Sequence, residues 1–330
     1  GFVSVGRDRR SLRHLLATNS SLLAAKVTER SAETGEHYIS HNRSEYLQMV
    51  RRAAGGGLLM SVTTLLKFGL AALAFSAFWG GFWAGVNYSI SFVLIQLLHW
   101  TVATKQPAMT APAMAAKLKD MQSSEDATHT LEAFVDEVAN LVRTQVAAIL
   151  GNVLVVFPAA LVLSLLWWQM FGATPLDAAH AQSTLDSLHV LGPSALFAAY
   201  TGVLLFASSL IAGWVENWFV LRRLDSAIRY NPRFTRWLGK GRAKRWGDFW
   251  RANISGFAAN ISLGMMLGLT PAIAAFFGLG LEVRHVTLSS GQLGVASATF
   301  GLGVFALPAF WWALALLPLN GALNVIVSFY

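Results

Sequence analysis

Apolar residues in this chain run far longer than a soluble helix needs, and polar residues collect between the runs. Residues 57–102 are apolar over a length that suffices for two bilayer crossings. The only interruption is Trp79, Gly80, Gly81, Phe82 and Trp83, where paired glycines permit a tight reversal flanked by interfacial aromatics; the stretch predicts a transmembrane hairpin. Further apolar runs cover about 146–170, 191–218, 254–278 and 291–317. Residues 319–330 are apolar but too short to cross ~30 Å of hydrocarbon, and read as the start of a truncated seventh crossing. The pattern predicts an all-α polytopic bundle of about six complete crossings.

The polar segments supply the topology. Residues 1–56 read as the end of a larger cytoplasmic region, ahead of a transmembrane domain over 57–330. Within 123–145, Ser123 and Ser124 precede an acidic first turn (Glu125, Asp126), and Leu131, Phe134, Val135, Val138, Leu141 and Val142 recur at helical spacing, so an amphipathic cytoplasmic helix leads into the third crossing. Residues 171–190 hold no Lys or Arg, which assigns them to the outer side. Residues 219–253 form a basic loop containing Arg222, Arg223, Arg229, Arg233, Arg236, Lys240, Arg242, Lys244, Arg245 and Arg251.

Composition strengthens this reading. At 55% hydrophobic and 13% charged residues, the chain lies outside ordinary globular proportions. Of its 25 Lys and Arg residues, all but Lys67 and Arg284 fall in the segments assigned to the inside. Each of its 12 tryptophans stands at the end of an apolar run or in the basic loop, as expected of indoles at the headgroup level. Both tendencies predict an inner-membrane protein with a cytoplasmic N-terminus. The absence of cysteine excludes disulfide and thiolate chemistry.

Candidate chemistry is sparse. Lys67 lies about ten residues into the first crossing if that crossing begins at Gly57, a depth at which a cation requires water or a partner. A reversal near Gly81 puts Gln96 at similar depth, with Thr63, Thr64 and His99 as the next polar layer. Lys67, Gln96, His99, Asn152, Glu216 and Asn260 thus suggest a polar vestibule open to the cytoplasm; the alternative is a snorkelling lysine and amides that hold helices together. Gly256, Asn260, Gly264 and Gly268 form a small-residue stripe suited to close helix packing.

The basic loop interleaves its cations with Tyr230, Phe234, Trp237, Trp246, Phe249 and Trp250, a pattern fit for anionic lipid headgroups or for nucleic acid. Two flanking crossings favour the headgroups and the lipid bilayer as partners. Glu33, His37, His41 and Glu45 recur every four residues, but Gly35 interrupts that helix and solvated side chains are the simpler reading. Glu282, Arg284 and His285, beside Thr287, Ser289 and Ser290, read as a salt-bridged outer turn. No GxxxxGK, HExxH or GxSxG is present, and neither metal nor cofactor is expected.

Several long stretches carry a family resemblance: 15–39 (LLATNSSLLAAKVTERSAETGEHYI), the hairpin region 77–118, GWVENW at 213–218, and 255–293 with SGFAANISLG and LEVRHVTLSSGQL. The chain resembles the bacterial multi-pass membrane family labelled site-specific recombinase. The resemblance implies DNA recombination, with the basic loop and N-terminal arm as DNA contacts. A tyrosine recombinase needs an Arg/His/Arg cluster beside its nucleophile. Tyr230 stands among Arg222, Arg223, Arg229 and Arg233, but in a loop with no histidine, so the residues support a transport or scaffold role as the other reading.

Overall fold

The computed structural model describes residues 39–103 and 127–329. Most of the N-terminal segment, with Glu33 and His37, and the beginning of the 123–145 helix lie outside the described residues. The described chain is all-helical: α1 (Arg43–Ala71), α2 (Ala77–Leu97), α3 (Ala127–Phe171), α4 (Ala178–Ser187), α5 (Ser194–Leu221), α6 (Leu224–Tyr230), α7 (Pro232–Leu238), α8 (Lys240–Phe276), α9 (Val286–Phe300), a 3-10 turn (Gly301–Ala306) and α10 (Pro308–Phe329). Six helical stretches are long and apolar enough to cross a membrane: Arg43–Ala71, Ala77–Leu97, Phe134–Phe171, Ser194–Leu221, Lys240–Phe276 and Pro308–Phe329. Their outward faces expose Leu66, Leu154, Met170, Leu196 and Leu210, an apolar surface suited to hydrocarbon.

The reversal of the first hairpin differs from the expectation. It lies at residues 72–76, with Ala74 in the left-handed region at φ +51°, and Gly80 and Gly81 belong to the first turns of α2. Gly81 serves packing instead: a Cβ there would stand 2.6 Å from Ala272 Cβ and 2.8 Å from Gly268 O on α8. Trp79, Phe82 and Trp83 form an edge-to-face ladder with Phe78 along α2.

Helices α2 and α8 make the most extensive contact in the fold, and α1 with α3 the next. Gly264 backs onto Ser89, Gly268 onto Gly81 and Gly85, and Gly256 onto the Gln96 carboxamide, so small residues let α2 and α8 approach backbone to backbone. Gly56 and Gly57 do the same for α1 against Asn152 and Thr101, and Gly151 against Ala53. Thr101 N–H donates to Arg52 O and Gln96 to Asn253 O, while Gly247 packs on Asp225. The N-terminal ends of α1, α3 and α8 therefore share one end of the bundle with the C-terminal ends of α2 and α5, and the described basic segments converge there.

The last part of the chain departs most from the sequence expectation. The apolar run over 291–317 is not one crossing. After α8 the chain returns as a non-helical segment, 279–285, into α9, whose residues from Val286 to Ala298 are all buried. Fifteen residues rise only ~22 Å, too short to span. Gly301, at φ +54° and ψ −138°, and Pro308 break the run, and the stretch expected as a truncated seventh crossing is the second half of α10. Leu293 joins one hydrophobic core with Ala160, Leu185 and Phe310, and Leu288 a second with Met60, Phe92 and Leu263, so α9 links the two.

The amphipathic stretch is continuous with the third crossing in one 45-residue helix. Leu131, Val135, Val138 and Val142 lie exposed along it, whereas Glu137, Leu141 and Thr144 are buried. The basic loop is also helical, made of α6, α7 and the first turns of α8.

Gly268→Leu is expected to destabilise the fold by about 1–3 kcal/mol or to block folding, because α2 backbone occupies the space. Gly280→Ala, where nothing lies within 4 Å, is expected to be neutral. Thermal unfolding in detergent compares the two.

Candidate functional site

A segment without helical hydrogen bonds is costly in apolar surroundings unless other groups satisfy it. At Arg284 and Val286 side chains from neighbouring helices do so. Thr201 Oγ1 on α5 accepts from Arg284 N–H at 2.8 Å. Asn324 on α10 makes three bonds: Oδ1 accepts from Val286 N–H at 3.0 Å, and Nδ2 donates to Arg284 O at 3.0 Å and Ala198 O at 2.8 Å. One carboxamide thereby caps α9, supports the residue before it and ties both to α5.

One turn deeper, Thr287 Oγ1 lies 3.2 Å from Asn152 Oδ1. Asn152 also accepts from Ala103 N–H at 2.7 Å and donates to Ala53 O and to Thr101 O, the latter at 3.0 Å, joining α1, α3, α9 and the chain after α2. Asn320 Nδ2 donates to Ser289 Oγ at 3.3 Å, while its buried Oδ1 has no hydrogen-bond partner. Ser290 Oγ reaches Val153 O, and His285 packs beside the Phe92 ring. Asn152, Thr287, Ser290, Asn320 and Asn324 are all completely buried. Together they form a polar seam around the inner half of α9, lined by hydroxyls and carboxamides. Such groups bind and orient a polar solute; among the described residues, no group of three or more His, Cys, Asp or Glu is placed to hold a metal ion.

The candidates for the vestibule fall in several places. Lys67 stands one turn from the C-terminal end of α1, whereas Gln96 is in the last turn of α2. The hairpin therefore separates them, because the reversal lies at 72–76 and not at Gly81. The Lys67 ammonium lies 5.4 Å from the Phe68 ring centre, and the charges acting on it are Arg284 and Glu282. Gln96 and Asn260 do meet, with Asn253, between α2 and α8. Asn152 belongs to the seam, Glu216 is half-buried on α5, and His99 is exposed past α2 at φ +56°.

The Glu282–Arg284 pair forms at 2.5 Å. What was expected as an outer turn around it is instead the entry to the bundle, since His285, Thr287, Ser289 and Ser290 are buried. Arg284 donates to Ser187 O at 3.1 Å and lies over the Phe197 ring. His41 Nε2 lies 3.1 Å from Glu137 Oε2, linking the start of the described chain to α3.

In the basic segment, Arg229 contacts both Asp225 at 3.6 Å and Asp248 at 2.6 Å, pinning α6 to α8. Arg222, Arg223, Arg233, Arg236, Lys240, Arg242, Lys244 and Arg245 are exposed. Tyr230 is 77% exposed at the end of α6.

Asn320 and Asn324 were not candidates from sequence, and Thr287 was read only as a neighbour of the salt-bridged turn. The available signal was two asparagines four residues apart in an apolar run, which places both on one helical face.

Asn324→Leu is expected to cost about 1–3 kcal/mol for each backbone group left unsatisfied, and more than Asn253→Leu, in thermal unfolding. A pH effect is expected at α4. Asp177 accepts from His180 N–H at 2.8 Å and contacts the His180 ring, and these bonds hold its carboxyl below the ordinary range. A depressed carboxylate stabilises above its unfolded pKa and loses that effect as pH falls through the folded value. Amide protection in α4, taken relative to the intrinsic exchange rate at each pH, should therefore fall below ~pH 4, with Asp177→Asn flattening the dependence.

Two comparisons with known proteins found nothing, since no curated protein and no solved structure matches the chain. The family model described as site-specific recombinase matches residues 1–330, the whole chain. The chain belongs to the site-specific recombinase family.

Proposed function

We propose that the protein is an integral protein of the bacterial inner membrane, with its N-terminal segment in the cytoplasm, and that it works as a transport-type protein through the polar seam of α9. The observation that carries this reading is the enclosed short helix reached by non-helical backbone. Irregular backbone at membrane depth is tolerated where it is buried in protein or lines a cavity, and interrupted helices with an end inside the bundle serve transporters as solute sites. Asn152 and Asn324 commit their carboxamides to the protein, so what the seam offers a polar solute is the Asn320 Oδ1 and the serine hydroxyls beside it. The convergence of the basic segments at one end supports the orientation through the preference of cationic loops for the cytoplasm.

DNA recombination is the activity named by the family description. The residues supply little of its chemistry: Arg229 is engaged by two carboxylates, and Tyr230 stands at the end of a seven-residue helix without a histidine nearby in sequence.

The chain has no cysteine, so single substitutions report without background. In reconstituted vesicles, Ser290→Cys and Asn320→Cys are expected to react with a small membrane-impermeant thiol reagent applied from one side. Silence from both sides, with the exposed Ser183→Cys reacting as a control, would leave the seam as helix packing and remove the transport reading.

A further inference from the structure

The segment between α5 and α8 has a surface that neither helix packing nor the seam uses. Arg229 engages both of its carboxylates, Asp225 and Asp248, and locks α6 against the first turns of α8. The lock is tight: Gly247 meets Asp225 O and the Arg229 side chain, where a Cβ would stand 2.9 Å and 2.6 Å away. With both acids consumed internally, the remaining exposed cations have no acidic partner within the segment. The result is a positive surface that the segment's own acids do not compensate.

Exposed aromatics share that surface. Trp237 is 88% exposed and Tyr230 77%, and α7 carries Arg233 and Arg236 beside Phe234 and Trp237 within two turns. Water alone is a poor environment for such rings, whereas the border of a bilayer accommodates the apolar face and the polar N–H together. The location agrees. The segment leaves one candidate membrane helix at Leu221 and re-enters another at Lys240, while Trp214 and Trp218 on α5 and Trp246 on α8 stand exposed at the same end. A platform tied at both ends to spanning helices and bordered by exposed tryptophans lies in the plane of the headgroups.

We propose that α6, α7 and the first turns of α8 form a binding platform for anionic phospholipid headgroups, in which arginines contact phosphate and Trp237 inserts beside them. The platform rests on the membrane reading of the fold but not on the transport reading of the seam. Phosphate contacts by arginine are bidentate and charge-assisted, and neighbouring cations raise the local concentration of anionic lipid. Nucleic acid presents the same phosphate chemistry, but a duplex on this face would lie against the headgroup layer, whose anionic phosphates repel it.

The test uses the full chain in lipid nanodiscs of phosphatidylcholine alone or mixed equally with phosphatidylglycerol. A polarity-sensitive fluorophore on Trp237→Cys is expected to shift to the blue with phosphatidylglycerol, to be quenched by spin-labelled lipid, and to lose the shift in high salt. Native mass spectrometry is expected to find roughly tenfold less retained phosphatidylglycerol when Arg222, Arg223, Arg233 and Arg236 are all changed to Glu. Salt dependence of the single-cysteine protein tests the idea even where that charge-reversed chain does not fold. Equal emission in the two kinds of disc, with salt-independent lipid retention, would overturn the proposal. So would a larger salt-sensitive shift caused by duplex oligonucleotide in phosphatidylcholine discs, which would make the platform a nucleic-acid site. A chain that needs no lipid or detergent to stay in solution would instead refute the membrane reading itself.

Discussion

A peptide group in apolar surroundings needs a hydrogen-bond partner, and a segment without helical bonds must find its partners elsewhere. Residues 284–287 are the place where this constraint governs the fold. Their backbone partners are Thr201 and Asn324, drawn from two different long helices, and Asn152 on a third meets the Thr287 hydroxyl. Because each amide binds several groups, α1, α3, α5 and α10 are fixed relative to the buried α9. The cost of leaving any of these groups unsatisfied is comparable to a large part of a domain's net stability.

The second constraint is closeness. Lipid is as apolar as a leucine side chain, so burial of hydrocarbon gives little reason for one membrane helix to prefer another. Here α2 and α8 meet through Gly81, Gly85, Gly264 and Gly268, and α1 and α3 through Gly56, Gly57 and Gly151. Removing side chains brings backbones together and multiplies dispersion contacts. The same closeness places Gln96 beside Asn253 and Asn260, where the amides join α2 to α8.

The two polar regions of the molecule differ in how their charges are used. Apart from the Glu282–Arg284 pair at its entry, the seam is made of hydroxyls, carboxamides and the His285 ring, and its amides are largely consumed by backbone. The segment between α5 and α8 concentrates cations and leaves them exposed. Hydrogen-bond geometry governs the first region and the electrostatic field the second.

The sequence alone determined the helical class, the multi-span character and the clustering of cations, because length, hydropathy and charge act locally and survive without knowledge of contacts; the sixth span it placed at 291–317 lies instead at Pro308–Phe329. It also marked Gly264 and Gly268, whose spacing puts them on one helical face. It did not determine that residues 286–298 are enclosed, since an apolar residue satisfies lipid and protein interior equally and hydropathy registers both alike. Nor did it place Lys67: its apparent depth depended on a crossing that begins at Gly57 and its match with Gln96 on a reversal at Gly81, whereas the helix begins at Arg43, the reversal lies at 72–76 and Gly81 packs on Gly268. Which asparagine meets which backbone group was decided only in three dimensions, because the partners of Asn152 and Asn324 are 40 to 126 residues away for Asn324 and 49 to 135 for Asn152, save for the 38-residue step to Val286. No local pattern encodes pairings of that range.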